Sequence, residues 1–416
     1  MVDSPISIPF TRYIAIDAHK NYVVVGGLNA QQEKVLPVRR VEMEDYPKWA
    51  KANLRVGDAV VIEASTNTWK LYDVTQPQVS KVVVAHPLEV KQIANARVKT
   101  DRHDVWCLAR LLVADLIPEV WVPPQEVREL RTLIAHRRRL VKMRTMTRNR
   151  LHSVVHRNNL VPPEGGFFAA ANRSWWEGQS LSPVEALQVH QNLAMLGYLE
   201  PLIAEVDQEL ARLSTTLPWS EHVPYLLQLP GFGLINTMTV LSAIGDVRRF
   251  PASKKLVGYS GMGGSVHDSG QTHVGGGITK QGRKELRWVL VEAAWVAVEH
   301  HPYWKQEFRK LTHRMKSNKA IVAIARRLLV VIWHVMSERV ADRKAEPEMV
   351  AFKLMKWSWQ LNDWQRGGLS TRQFVRYQLM QLQLGEELTH VRRTNPRSIA
   401  SVEEILALKP ELRPTQ

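Results

Sequence analysis

Short apolar runs and longer periodic stretches alternate along the first part of the chain. Tyr13–Ile16, Tyr22–Leu28 and Lys34–Val38 read as strands that pair antiparallel through turns around 18–21 and 29–32. A helical stretch near 43–54 leads through Gly57 to an apolar strand, Ala59–Ile62, closed by Glu63. Lys81–Ala85 is a further strand. Asp101–Val113 reads as a helix with Val105, Leu108, Leu111 and Leu112 apolar. Three early strands followed by alternating helices and strands predict an α/β sheet of the RNase H type.

From Glu126 to Arg157 the pattern becomes a basic helix. Residues 137–157 carry eight lysines or arginines, among them Arg137, Arg138, Arg139, Lys142 and Arg144, and no acid. Leu140, Val141, Met143, Met146 and Leu151 are interleaved with them. Such a helix suits a nucleic-acid backbone, although most charge runs are solvated helix faces. A loop at Leu160–Leu181 holds Trp175 and Trp176, and Ser182-Pro183 with Glu185 opens a returning helix as a capping box. In that helix Leu196, Leu199, Ile203, Val206, Leu210 and Leu213 recur at alternating spacings of three and four. The spacing is that of a coiled-coil seam, and an ordinary core-facing helix shows a similar stripe. The pattern predicts a long antiparallel helical arm that serves self-association and nucleic-acid contact.

Leu226–Asp246 resembles a helix-hairpin-helix, with Pro230-Gly231-Phe232-Gly233 as the hairpin and Leu234–Ile244 as the following helix. Free amides at Gly231 and Gly233 would hold a DNA phosphate without reading bases, though a plain helical turn has a similar sequence. Helices at Lys284–His300 and Lys319–Met336 follow, then a mostly helical, tryptophan-bearing C-terminal stretch with no legible role.

Composition narrows the partner. A length of 416 residues suits two or three domains. The pattern divides at 1–122, 123–218, 219–340 and 341–416. A net charge of +16 and a pI near 9.9 point to a polyanion. Cys107 is the single cysteine, which excludes an intrachain disulfide and a multi-cysteine zinc site. Without a signal-peptide run or an 18-residue apolar stretch, the expectation is a cytoplasmic protein with no membrane partner.

Candidate chemistry falls in two places. Asp17 and Glu63 close strands, while Asp101 and Asp104 lie at i and i+3 on one helix face. Carboxylates converging at a sheet edge repel one another unless cations intervene, and such oxygen-rich sites suit Mg²⁺ or Mn²⁺. Asp101 would serve equally as a helix cap, and His19, His86 and His103 read as solvated side chains before metal ligands. The second place is Gly258–Gly282, 25 residues holding nine of the 22 glycines. Ser260, Ser265 and Ser269 lie in it, and Lys280, Arg283, Lys284 and Arg287 follow at its end. Glycine-rich backbone, hydroxyls and cations are what a phosphate-handling loop needs, and a flexible surface loop is the plainer reading. Met262 breaks the Gly-x-Ser-x-Gly pattern, and Gly282 is followed by Arg283 and Lys284 in place of a Walker lysine-serine pair.

Together these residues resemble the DEDD-type transposases of the insertion-sequence "one-ten" family, the bridge-RNA-guided recombinases, with Piv-type DNA invertases as relatives. The resemblance runs over about residues 11–340. It lies in YIAIDAHK, VIEASTNTW and KTDRHDVWCLARLL, then in LPGFG and SVHDSG…GGITKQGRKELRWVLVEAAW. It implies a RuvC-like N-terminal domain with Asp17, Glu63, Asp101 and Asp104 at the four acidic positions, a coiled-coil arm and a mainly helical C-terminal transposase domain. It puts Ser269, between Asp268 and Gly270, at the position of the nucleophilic serine. Ser265 is a rival, and Ser260 reads as a cap or turn. The implied activity is cleavage and joining of donor and target DNA through a phosphoserine link. The implied partners are a noncoding bridge RNA and further copies of the chain, as a dimer or tetramer, and the metal site would polarise the scissile phosphate. Gln271, the Gly275–Gly277 run, the insert near 160–181 and the C-terminal tail depart from the family pattern. Two other readings use the same residues: a metal-dependent junction resolvase without a serine intermediate, and a nucleic-acid-binding scaffold.

Overall fold

A computed structural model describes residues 10–93, 100–168, 170–269, 272–391 and 395–410. For 170, 171, 173, 266–269 and 272–275 it describes the backbone alone. The chain divides into two compact units, Met1–Pro124 and Gln125–Gln416.

The first unit grows from strand alternation. β1 (Arg12–Ala18), β2 (Tyr22–Leu28) and β3 (Lys34–Glu42) form an antiparallel meander. After α1 (Tyr46–Asn53), β4 (Asp58–Glu63) adds parallel to β1. After α2 (Thr68–Thr75), β5 (Lys81–Ala85) adds parallel to β4. The sheet order is therefore β3-β2-β1-β4-β5. Central strands buried on both faces must be apolar at every position, which is why β1 and β4 read as continuous runs. Ile14, Ile16, Val60 and Ile62 pack on one face with Tyr46, Trp49 and Leu71 of α1 and α2. Ala15, Ala59 and Val61 pack on the other with Val105, Leu108 and Leu112 of α4 (Asp101–Val113), which follows α3 (Pro87–Ile93). The pair of half-buried Arg12 and fully buried Asp58, at 2.6 Å, ties the starts of β1 and β4 together.

The second unit opens with α5 (Gln125–Arg157) and α6 (Pro183–Leu213), joined by the loop that carries Trp175 and Trp176. Their ion pairs run in opposite chain order: Arg157–Glu185 at 3.3 Å, Arg148–Glu200 at 2.8 Å, then Arg137–Asp207. The helices are therefore antiparallel. Ser182 caps α6, its hydroxyl accepting from the Glu185 amide at 3.3 Å. The expected coiled-coil stripe turns inward. Leu196, Leu199, Ile203, Val206 and Leu210 are all buried within the chain, so they form the arm's own core and are not a seam for a second copy. The insert has a structural role as well. Phe167 and Trp176 pack with Leu151, Val155 and Val189 as a small separate core.

The helical body follows: α7 (Val223–Leu227), α8 (Leu234–Ile244) and α9 (Ser253–Ser260), then a hairpin of β6 (Gly264–Ser269) and β7 (Thr272–Ile278). The glycine-rich segment is thus largely a β-hairpin, where the sequence suggested a loop. Next come α10 (Lys284–His300), α11 (Pro302–Thr312) and α12 (Ser317–Glu338). By length and composition α12 could cross a bilayer despite having no unbroken apolar run of that length. Half of the stretch is buried among its neighbours, as in a core helix. The C-terminal stretch holds α13 (Pro347–Ser358), α14 (Thr371–Gln381), the short pair β8 (His390–Val391) and β9 (Arg397–Ser398), and α15 (Val402–Leu408). It is organised around Arg376, which is 2% exposed and donates to the Gly385, Leu388 and Ala400 carbonyls.

Candidate functional site

Side-chain alternation decides what β1 presents at its end. Ala15 faces α4, so Asp17, two residues on, emerges on the same face. Glu63 shares the parity of Ala59 and Val61 on β4 and emerges there too. The start of α4 brings Asp101 and Asp104 to this edge. Thr100, and not Asp101, caps that helix, its hydroxyl accepting from the His103 amide at 3.3 Å, which leaves the Asp101 carboxylate available.

The ligand atoms of Asp17, His19 and Asp101 lie within 4.8 Å of one another, the one such group among the described residues. His19 Nε2 is 3.2 Å from Asp17 Oδ2 and 3.3 Å from Asp101 Oδ2, yet it is buried and makes no well-directed hydrogen bond. Tyr22 stacks on the His19 ring at 4.5 Å and donates its hydroxyl to Asp101 Oδ2 at 3.2 Å. Asn67 donates to the His19 carbonyl at 2.9 Å. Burial pushes the Asp17 carboxyl above its ordinary value. His19 opposes the rise, and the charges of Asp101 and Asp104 reinforce it. Asp104 is therefore part of the local field, while Asp104 and Glu63 stand outside the tight group. His19, read from the sequence as solvated, is at its centre. The available signal was Asp17-x-His19, two positions apart at the end of a buried strand. Two carboxylates and an imidazole with an orphaned buried nitrogen form a donor set that fits a divalent ion.

In the second unit, the hairpin leaves the body between two segments that are stitched together. Gly261 has φ +70°, and a Cβ there would sit 1.7 Å from the Gln281 carbonyl oxygen. Gly282 has φ +96°, and its Cβ would meet the Tyr259 oxygen at 2.0 Å. Only glycine fits either position. Arg287 Nη1 donates to the Ser260, Gly282 and Gln281 carbonyls at 2.9, 3.1 and 3.4 Å. Arg283 Nε donates to the Tyr259 hydroxyl at 3.2 Å. Burial raises the pKa of Tyr259, but Arg283, Arg249 and Arg131 outweigh it and hold the phenol below its ordinary value.

The three serines part company here. Ser260 is fully buried, donates to the Val257 carbonyl at 2.7 Å and accepts from the Met262 amide at 3.2 Å. Ser265 donates across the hairpin to the Gly277 carbonyl at 3.1 Å. Ser269 ends β6 and pairs with Thr272, which opens β7, so it stands at the far end of the hairpin. Gly270 and Gln271, between them, lie outside the described residues, as do the side chains of His267, Asp268 and Ser269.

The cations expected to meet nucleic acid divide in the same way. Arg137 is paired with Asp207 of α6, which holds the arm together, and Arg138 with Glu285 of α10 at 2.9 Å, which ties the arm to the helical body. Arg139, Lys142 and Arg144 have no ion pair among the described residues. Arg287 closes the hairpin base, whereas Lys280 and Lys284 are exposed. Gly231, with φ +80°, lets the hairpin lie against α10, where a Cβ would meet the Ala293 oxygen at 2.5 Å. Gly233, at the start of α8, has open space where its Cβ would be.

Two family models match the chain. Residues 14–159 match a transposase model of the IS110 DEDD type, and residues 223–309 match the model described as "Transposase IS116/IS110/IS902 family". The chain belongs to the IS110 transposase family. The first match spans Asp17, Glu63, Asp101 and Asp104, and the second spans the hairpin with Ser269. Among its relatives, the transposase for insertion sequence element IS1111A of Coxiella burnetii is 24% identical over 80% of this chain and 91% of that protein. A Sinorhizobium fredii protein with a transposase name, y4qE, is 26% identical over 72% of this chain and 74% of that one. The transposase for insertion sequence element IS1328 of Yersinia enterocolitica is 25% identical over 59% and 75%.

Proposed function

We propose that this transposase cleaves and rejoins donor and target DNA through a phosphoserine intermediate on Ser269, guided by a structured noncoding RNA. The observation that carries the reading is the commitment of the other two serine hydroxyls in the glycine-rich segment. Ser260 and Ser265 each donate to a main-chain carbonyl, while Ser269 ends β6 at the far end of the hairpin. In the reaction, Ser269 Oγ attacks the phosphorus and loses its proton, one P–O ester bond breaks, and a deoxyribose hydroxyl leaves. Attack of another DNA hydroxyl on the phosphoserine rejoins the strand and restores the serine. A serine hydroxyl needs its proton removed and the phosphate charge offset.

In this reading the N-terminal unit is a RuvC-like domain, which the β3-β2-β1-β4-β5 order supports. Asp17 and Asp101 with His19 hold Mg²⁺ or Mn²⁺, and Glu63 and Asp104 complete the acidic set. The bound ion would supply charge neutralisation at the scissile phosphate. The imidazole favours Mn²⁺ over Mg²⁺ in binding strength. Tyr22 orients the Asp101 carboxylate. Arg139, Lys142 and Arg144 offer the guide RNA a surface whose charge is not already matched. The active form is a dimer or tetramer, for which the second stripe of α6 is available: Val184, Leu187, Met195, Tyr198 and Leu202 are all exposed.

A suicide DNA substrate that traps the intermediate, followed by peptide mapping, tests the chemistry. The adduct is expected on Ser269, absent in Ser269→Ala and dependent on divalent metal. An adduct on Ser265, or one that persists in Ser269→Ala, overturns the assignment. Metal-dependent cleavage with no adduct would select the junction-resolvase reading. Sequencing RNA that co-purifies with the protein tests guidance, and recovery of no structured RNA counts against it.

A further inference from the structure

A cleft of about 550 Å³ lies between the hairpin and the first half of α12. Its apolar lining is buried Met262 with half-buried Ile278, Met315, Val322 and Ala323. The hairpin wall is Gly264, Gly276 and Gly277, all exposed, so the main chain itself faces the cleft there. The α12 wall carries the cleft's polar side chains, Asn318, Lys319 and Arg326. All three are exposed, and no carboxylate lines the cleft among the described residues.

The charge on that wall is left open by the fold. From Phe308 to Ser337 the chain has seven lysines or arginines and no acid. Glu307, just before, takes two of them, pairing with Lys310 at 2.8 Å and with Arg327. Lys319 and Arg326 have no ion pair among the described residues. A cleft walled by one sign of charge concentrates its field on whatever anion enters. The two cations lie seven residues apart on α12, two helical turns. By the helix rise that is about 10 Å. A stacked nucleic-acid strand advances ~3.4 Å per nucleotide, so the pair spans roughly three nucleotides. One small anion does not reach both cations, whereas a chain of phosphates does. The apolar lining suits the sugar and base faces that a strand carries between its charges. A duplex is too wide to enter and would meet only the mouth.

We infer that this cleft holds a single strand of DNA, its phosphates on Lys319 and Arg326 and its sugars and bases over the apolar lining. The inference rests on the reading of the chain as an enzyme that cleaves and rejoins DNA, and it deepens that reading. The hairpin that walls the cleft also carries Ser269 at its far end, so the strand held here is the one the hairpin brings toward that serine.

The test uses the full chain and fluorescence anisotropy. The probes are a short mixed-sequence DNA strand, the matching duplex and an RNA strand of the same sequence. Lys319→Gln combined with Arg326→Gln should weaken binding of the DNA strand by roughly tenfold near physiological salt. It should also lower the slope of log affinity against log salt by roughly 1.4, about 0.7 for each lost phosphate contact. Arg309→Gln combined with Arg314→Gln removes the same charge from exposed positions outside the cleft and should change the strand's affinity by less than about twofold. All four side chains are exposed, so both variants should unfold at the wild-type temperature. Duplex affinity should fall less than strand affinity. Equal losses from the two pairs, a loss as large for the duplex, or a loss confined to the RNA strand overturns the inference. The serine chemistry fails separately. An adduct trapped on Ser269 in the wild type, with strand binding untouched in Lys319→Gln/Arg326→Gln, removes the cleft alone. A wild type that binds the strand through these cations yet traps no adduct removes the serine alone.

Discussion

The sheet-edge cluster and the glycine-rich hairpin reach functional geometry by opposite routes. The cluster is convergent: Asp17 and His19 come from the end of β1, Asp101 from a helix more than 80 residues later, and Tyr22 from the next strand. Each side chain is aimed by an element with its own reason to exist, and the fold brings like charges together at a cost. The hairpin is local. All its parts lie within one segment, and its precision comes from glycines and main-chain carbonyls at its base. Topology makes the first kind of site, and local stereochemistry makes the second.

Substitutions separate the two kinds. The largest effect is expected at the hairpin tip. Ser269→Ala should abolish the covalent adduct and lower strand transfer by roughly a thousandfold or more, while Ser265→Ala stays within about tenfold. A comparable loss in both would mean that the hairpin's shape, and not one hydroxyl, is what matters.

Asp17→Asn should lower strand transfer by at least about a hundredfold, and EDTA should do the same. Its effect on stability has the opposite sign. The Asp17 carboxyl is raised in the folded state, so the stability it contributes when protonated is present in full below its unfolded value of 3.8 and is lost as pH rises through the folded value. Without metal, Asp17→Asn should therefore unfold at a higher temperature than wild type at neutral pH, and the difference should vanish in acid. Calorimetry across pH checks this, and a destabilised Asn variant at neutral pH would contradict the convergent-charge picture.

At the hairpin base, Gly261→Ala or Gly282→Ala should cost about 2–4 kcal/mol, because a left-handed backbone and a main-chain collision coincide. Denaturant unfolding measures that loss. The smallest effects are expected among the arm cations. Reversing Arg139, Lys142 and Arg144 should weaken RNA binding and reduce its salt dependence by roughly one ion per charge, with little change in stability. Arg137→Ala should instead cost about 1 kcal/mol of stability, because its ion pair with Asp207 is structural. Equal RNA effects from both sets would erase the distinction between committed and open cations.

Much of the sheet-edge site was legible because strand alternation and helix period are long-range rules written in local sequence. They placed β2, β5, α4, α8 and α10 at their observed bounds and brought Asp17, Asp101 and Asp104 to one edge. They could not say that Thr100 would take the cap, nor that His19 would turn inward, since both depend on three-dimensional neighbours. In the hairpin the difficulty was different. Glycine density signalled close backbone approach but not what approached, and at Gly261 and Gly282 it was the protein's own backbone. The stripe on α6 misled for a related reason, because a helical periodicity marks a buried face without naming the partner that buries it.

The clamp at the hairpin base also governs which changes the segment tolerates. Its bonds run to carbonyl oxygens, which every residue type supplies, so the sequence between Met262 and Thr279 is free to drift or change in length without loosening the anchor. Gly261, Gly282 and Arg287 have no such freedom. The hairpin is in effect an exchangeable cartridge in a fixed socket, and transplanting the residues between those glycines from one relative to another should carry the tip's properties with them.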